Sequence, residues 1–156
     1  MDEKYETAIK IGLICGIAPA ASYIVYQFAR FYGSGGALAA LSGIIVLLAP
    51  AAAGILAVKA SSPLLHKMKD VMLVSAVSGG VEGAIAGMGM AITGIIWQWA
   101  ANYYAQNAHV DASYGFSLAA MPWEIPIVIL IIAASMAVIA IIGGTIYAIS
   151  KSPVKL

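Results

Sequence analysis

The sequence predicts an all-α membrane protein, a bundle of four transmembrane helices that forms one domain over residues 1–156. Two features of the composition lead to this prediction. Charged residues make up 10% of the chain, whereas soluble domains carry about 25%. Hydrophobic residues make up 62%, and a soluble domain of this size buries only ~70% of the surface that its open chain exposes. These figures exclude a soluble enzyme, and the net charge of +1 argues against a nucleic-acid partner.

Four apolar segments are long enough to cross a bilayer, which takes about 20 helical residues. They cover residues 11–31, 37–58, 71–97 and 125–149. None alternates with the period of two that is typical of a membrane strand, so a β-barrel is disfavoured. A glycine-rich turn at residues 33–36 joins the first two segments, and residues 59–70 join the next two. The longest connection, residues 98–124, is predicted to be an external aromatic loop.

The positions of the cations predict the orientation, because Lys and Arg are retained on the cytoplasmic side. Seven lysines precede the first segment, separate the second from the third or follow the fourth, and Arg30 alone lies on the other face. Both termini are therefore expected in the cytoplasm, with the protein in the cell or cytoplasmic membrane. A cleaved signal peptide is the competing interpretation, since Lys10, residues 11–18 and residues 19–22 imitate its three parts. The mixed charges of residues 2–6 argue against cleavage.

Small residues predict how the helices associate, because in lipid the close approach of backbones replaces apolar burial as the driving force. Glycines or alanines recur at every fourth position in segments one, three and four. Tight helix packing is the preferred interpretation of this pattern, and a permeation path lined by glycine is the alternative. The glycines predicted to lie at helix contacts are Gly12, Gly16, Gly79, Gly83, Gly87 and Gly144.

A weak internal similarity indicates a possible 2+2 helix repeat. Gly54 and Pro63 end the second segment with the same spacing with which Gly144 and Pro153 end the fourth. Two-helix units of equal orientation would be related by an axis along the membrane normal. Chance similarity between segments rich in small residues is the competing explanation.

Glu82 is the one ionisable residue deep inside a predicted span. Counted from Val71, it lies about 17 Å along the helix at ~1.5 Å per residue, near the middle of the bilayer core. An acidic side chain there costs about 2.5–3.5 kcal/mol and normally faces the bundle interior or a water-filled cavity. At 100° per residue, Ser75, Ser78 and Thr93 fall on the same narrow stripe as Glu82.

Three interpretations of Glu82 remain open. It could be a proton or cation site, with the hydroxyls of Ser75, Ser78 and Thr93 lining a path. It could be a protonated carboxyl that hydrogen-bonds a neighbouring helix or subunit. It could also pair with a cation from another chain, since this chain has no Lys or Arg deep inside a span. The two structural interpretations together are preferred to the first.

Two surface clusters flank the predicted spans. The aromatic residues at the external face fit an interfacial aromatic belt, with a docking surface as the alternative. The cations of residues 59–70 are expected to retain the topology and to contact anionic lipid headgroups. The external aromatic residues are Trp97, Trp99, Tyr103, Tyr104, Tyr114 and Trp123, and the cytoplasmic basic cluster is Lys59, His66, Lys67 and Lys69.

No catalytic or nucleotide-binding motif occurs in the sequence, which argues against an enzyme. No cofactor is predicted, and His109 with Asp111 is too small a set for a metal site. The preferred function is a non-catalytic membrane subunit or scaffold that packs in the bilayer against itself, as a homo-oligomer, or against other membrane subunits. The alternative is a small transporter or channel that moves protons or cations with Glu82 as the intramembrane site.

Overall fold

The computed structural model describes residues 2–31, 35–108 and 124–151, excluding the side chains at 28–31, 35, 39, 97–98, 100–108 and 124. Within these ranges the regular structure is helical and contains no strand, which confirms the all-α prediction. The helices are α1 (Glu3–Phe31), α2 (Gly35–Ser61), a 3-10 turn (Ser62–Leu64), α3 (Met68–Ala108) and α4 (Glu124–Lys151).

Each of the four α-helices is long and apolar enough to span a membrane. They differ in how much they are covered by the rest of the chain. Half of the most apolar stretch of α3 is buried, against 11% for α4, and α3 has the lowest mean hydropathy of the four at 1.5. The least apolar helix is therefore the most enclosed one, as expected where polar side chains are kept away from lipid.

All four helices extend beyond the predicted spans, and α1 and α3 do so by more than two turns. α1 begins at Glu3, where the carbonyl of Asp2 accepts hydrogen bonds from the amides of Tyr5 and Glu6 and acidic residues suit the helix N-terminus. α3 continues to Ala108, so residues 98–108, predicted as loop, are helical. The prediction ended the span at residue 97 because hydropathy falls there. The helix itself continues, because residues 98–108 contain no Gly or Pro that would end it.

The helices pack with α2 and α3 at the centre. α3 packs most extensively on α4 and then on α1, while α2 contacts all three other helices. Among the described residues, the contact between α1 and α4 is marginal at most. A two-fold relation between the pair α1–α2 and the pair α3–α4 would make the α1–α4 and α2–α3 contacts alike. The arrangement therefore adds nothing in favour of the possible repeat.

One end of the bundle collects the start of α1, the end of α2, the start of α3 and the end of α4. Lys4 Nζ lies 3.0 Å from Asp70 Oδ1, and Ser61 Oγ donates to the carbonyl of Lys4 at 3.5 Å. Ala8 and Ala148 belong to one buried cluster here. We call this the lysine end, because it holds the described lysines Lys4, Lys10, Lys59, Lys67, Lys69 and Lys151.

Candidate functional site

Glu82 lies in the middle of Met68–Ile96, the part of α3 that is apolar enough to span a membrane, and has no exposed surface. It is the largest of the fully buried side chains in the described part of the protein. Neither carboxyl oxygen has a hydrogen-bond partner among the described residues. Buried polar atoms in proteins nearly always have partners, because an unpaired one bears its full cost of desolvation. The carboxyl group of Glu82 is therefore the chemical anomaly of this bundle.

The hydroxyl groups predicted to share a stripe with Glu82 are buried beside it along α3. Ser75 and Ser78 are 0% exposed and Thr93 is 8% exposed. Ser78 Oγ donates to the carbonyl of Ala53 on α2 at 3.3 Å, and Thr93 Oγ1 donates within α3. Ser75 Oγ has no partner in the described ranges. The stripe thus faces the bundle interior, but its hydroxyls do not hydrogen-bond Glu82.

Glycines bring α1 close to the turn of α3 that carries Glu82. A Cβ atom added at Gly12 would meet the carbonyl oxygen of Ser78. One added at Gly16 would lie 3.0 Å from the backbone oxygen of Glu82 and 2.8 Å from Ile85 Cβ. Because real Cβ contacts are wider than these distances, a side chain at either position would push α1 away from the site.

Glycines on another face of α3 bring α4 close in the same way. A Cβ at Gly83 would lie 2.6 Å from Ala133 Cα, and one at Gly87 would lie 3.1 Å from Ile129 Cα. At Gly79 the Cβ would meet Ala140 Cβ. Helices α1 and α4 therefore approach α3 on two flanks of the Glu82 stripe at nearly backbone distance.

Three further glycines at helix contacts were missed from the sequence. A Cβ at Gly54 would meet the carbonyl group of Ala140, and one at Gly143 would lie 2.6 Å from the carbonyl oxygen of Ala51. Gly89 faces Ala20 in the same manner. Gly54 and Gly143 are not part of the four-residue spacing on which the prediction was based. Gly89 does not continue the four-residue spacing of Gly79, Gly83 and Gly87. The predicted Gly144 also faces the interior, where a Cβ would meet Ser75 Oγ.

Two prolines inside helices are a second feature missed from the sequence. Pro19 in α1 and Pro50 in α2 are both fully buried. Proline has no amide hydrogen, so the carbonyls four residues earlier, those of Cys15 and Val46, lose their helical hydrogen bonds. In a membrane such freed carbonyls need another partner. A proline within a predicted span is the signal that could have identified them.

The surface clusters are described only in part. Lys59, His66, Lys67 and Lys69 are exposed at the lysine end. Trp99 belongs to α3 and is 70% exposed, and the helix also includes the backbone of Trp97, Tyr103 and Tyr104. Tyr114 and Trp123, together with the pair His109 and Asp111, lie outside the described residues.

The chemistry available at the centre of the bundle is that of a single carboxylate in apolar surroundings. Such a group neutralises one positive charge, either a bound proton or a monovalent cation. Any further charge would give the buried site a net charge. In the described ranges, no group of three His, Cys, Asp or Glu side chains could hold a metal ion. No known protein family, curated protein or solved structure matches this chain.

Proposed function

We propose that this protein is a multi-pass membrane protein that moves protons or small cations, with Glu82 as the intramembrane site. The observation that carries the proposal is the complete burial of a carboxyl group with neither oxygen partnered by a described residue. Ionisable residues inside membrane helices mark ion pathways and proton relays, because their cost is tolerated where they serve a function.

The two structural interpretations of Glu82 receive less support. A cation from another chain would need access to the carboxyl, yet Glu82 is 0% exposed. A structural carboxyl that joins two helices would be expected to bond a group on the second helix, and neither oxygen has such a partner in the described bundle. We therefore favour the transport function over the subunit function that the sequence alone favours.

The stripe around Glu82 suggests the direction of movement. Ser78 and Ser75 follow Glu82 towards the lysine end, and Thr93 lies about 17 Å away in the opposite direction at ~1.5 Å per residue. With α1 and α4 at nearly backbone distance from α3, an open pore along the stripe has little room. The geometry favours a carrier in which these helices separate on one side at a time.

The replacement of the carboxyl of Glu82 by an amide tests the proposal. We expect Glu82→Gln to reduce proton and sodium flux into liposomes to the level of protein-free vesicles, because an amide cannot take up and release a proton. Glu6→Gln makes the same chemical change at an exposed position and should leave the flux intact. The flux is followed with a pH-sensitive dye and with labelled sodium. Equal flux in Glu82→Gln and wild type would refute the transport function.

A second candidate function, the non-catalytic subunit or scaffold, rests on a different surface. Gly36 and Gly43 lie on an exposed face of α2, where no atom of another described helix comes within 4 Å of an added Cβ. Ala37 and Ala40 are exposed on the same helix. An outward surface of small residues allows a further helix to approach closely. The partner would be a second copy of the chain or another membrane subunit.

Counting subunits in a bilayer tests this second candidate. If α2 mediates association, Gly43→Ile should convert oligomers into monomers, as counted by single-molecule photobleaching in lipid. Gly80→Ile is the matched control, because the Cβ position of Gly80 on α3 is also free of described neighbours within 4 Å. A wild-type protein that is monomeric in lipid would overturn self-association through this face.

We also propose that the lysine end faces the cytoplasm. Its exposed cations Lys59, Lys67 and Lys69 are of the kind retained on that side of a membrane, and they suit contact with anionic headgroups. Both termini would then be cytoplasmic, with residues 98–124 towards the opposite face.

A further inference from the structure

We propose that Glu82 binds a dehydrated sodium ion together with the carbonyl oxygens of Cys15 and Val46, and that this ion competes with the proton of Glu82. The inference rests on the proposed function and specifies its substrate class. It combines a fully buried, unpartnered carboxyl group with two backbone oxygens that lack their helical hydrogen bonds.

The first carbonyl is on the turn of α1 that faces Glu82. Gly16, the residue after Cys15, has its Cβ position 3.0 Å from the backbone oxygen of Glu82. Helical carbonyls point towards the C-terminal end, so the oxygen of Cys15 points towards Pro19, which is fully buried. The freed oxygen of Cys15 therefore lies on the interior face of α1, at the height of the Glu82 turn.

The second carbonyl comes to the same height from α2. The hydrogen bond from Ser78 Oγ to the carbonyl of Ala53 aligns the two helices, and the short connection between them makes them antiparallel. One turn beyond Ser78 on α3 is Glu82, and about one turn before Ala53 on α2 is Pro50. The freed oxygen of Val46 points along α2 towards the buried ring of Pro50.

The charge of the site selects a monovalent cation. One carboxylate neutralises one positive charge, whereas a divalent ion would leave a net charge in the bundle interior. On α1, the titratable side chain nearest to Glu82 along the helix is Cys15, next to Gly16, whose Cβ position lies 3.0 Å from the Glu82 backbone oxygen. The other described titratable groups of the packed helices lie towards the helix ends. Those near the lysine end are Glu3, Lys4, Tyr5, Glu6 and Lys10 of α1, Lys59 of α2 and Tyr147 and Lys151 of α4, and those towards the other end are Tyr23 and Tyr26 of α1. No cation of the described interior competes with a bound ion for the carboxylate.

The nature of the ligands distinguishes sodium from a proton. Carboxylate and carbonyl oxygens are the ligands that hard cations prefer, and backbone carbonyls replace the hydration shell of an alkali ion. A bound proton uses one oxygen of the carboxyl and at most one acceptor, so it leaves the second freed carbonyl without a role. Three oxygens from three helices suit an ion that needs several ligands at once.

Carbodiimide labelling of Glu82 tests the site, because dicyclohexylcarbodiimide reacts with protonated carboxyl groups in apolar surroundings. We expect sodium at about ten times its Kd to slow the labelling roughly tenfold, because a competing ligand lowers the free fraction of the group by the factor 1 + [Na+]/Kd. Potassium and magnesium at equal ionic strength should have little effect. Labelling is measured by mass spectrometry of the peptide that contains Glu82, using the full chain in nanodiscs.

Proline substitutions test the two carbonyl ligands. Pro19→Ala and Pro50→Ala each supply an amide that bonds the freed carbonyl of Cys15 or Val46, so Glu82 should still be labelled while the protection by sodium is lost. Pro126→Ala is the matched control, since Pro126 is exposed in the first turn of α4, where an amide has no helical acceptor. This control should keep the full protection.

The outcomes separate this inference from the proposed function. If sodium fails to slow the labelling of the wild-type protein while Glu82→Gln still abolishes proton flux, the sodium site is wrong and the transport function stands. If both proline variants keep the wild-type protection, the carbonyl ligands are wrong. Flux that does not depend on Glu82 would refute the transport function itself, whatever the labelling shows.

Discussion

We expect Gly54→Ala to lower the free energy of unfolding by about 3 kcal/mol, the upper part of the usual range for overpacking. The Cβ of an alanine at position 54 would fall on the carbonyl group of Ala140, and a Cβ at Gly143 would lie 2.6 Å from the carbonyl oxygen of Ala51. A clash with backbone is costly, since no side chain can rotate away to relieve it. Helices α2 and α4 would have to separate, which loses the van der Waals contacts on which membrane helices depend.

The same substitution elsewhere on α2 provides the control. Gly43 is exposed, and no atom of another described helix lies within 4 Å of its Cβ position. Gly43→Ala should therefore leave the stability unchanged or raise it by up to about 1 kcal/mol, because alanine is the better helix former. Unfolding is measured by adding sodium dodecyl sulfate to the protein in mild detergent micelles. Equal stabilities of the two variants would contradict the packing of α2 on α4.

A compensating pair tests the contact between α3 and α4. Alanine at Gly79 would place its Cβ against Ala140 Cβ and 2.6 Å from the carbonyl oxygen of Met136. Ala140→Gly removes the first of these contacts but leaves the second. The double variant should recover part of the stability that Gly79→Ala loses, and no recovery would indicate that the backbone contact dominates.

The number of helices and the buried face of α3 follow from the sequence alone. Apolar length predicts the four helices, and the helical period of 100° puts Ser75, Ser78 and Thr93 beside Glu82 on one face, which is buried. The apolar length gives the wrong ends for α1 and α3, because hydropathy shows only which residues are apolar enough for lipid and not where a helix stops. Helix ends depend instead on helix propensity and on acceptors such as the Asp2 carbonyl.

The partner of each helix face cannot be read from a single sequence. Spacing marks Gly16 and Gly83 as contact residues, but periodicity does not say that one faces α3 and the other α4. Gly54 and Gly143 were missed as contacts because a single crossing of α2 and α4 needs no repeated spacing. The proposed meeting of the two freed carbonyl oxygens could not be predicted either, since it depends on how two helices with buried prolines, far apart in sequence, pack together.

The change in stability caused by Glu82→Met distinguishes a functional role of the Glu82 carboxyl from a structural one, because the two roles predict changes of opposite sign. We expect the free energy of unfolding to rise by about 1–2 kcal/mol, because methionine removes a buried polar group without a described partner and fills similar space with apolar atoms. We expect flux to be lost in the same variant. If Glu82 instead joined two helices through a hydrogen bond, the same change would lower the stability by up to about 1.7 kcal/mol.

Glu82→Gln completes this comparison, because an amide keeps the polarity and shape of the carboxyl group while losing its ability to exchange a proton. A structural hydrogen bond would survive in large part in Glu82→Gln and be lost in Glu82→Met, so the two variants would differ in stability with glutamine the more stable. A transport site predicts the reverse order, with both variants inactive and methionine the more stable. Greater stability at the expense of activity is the expected signature of a residue kept for function. Glutamate at position 82 would then persist because the ion it binds requires a carboxylate there.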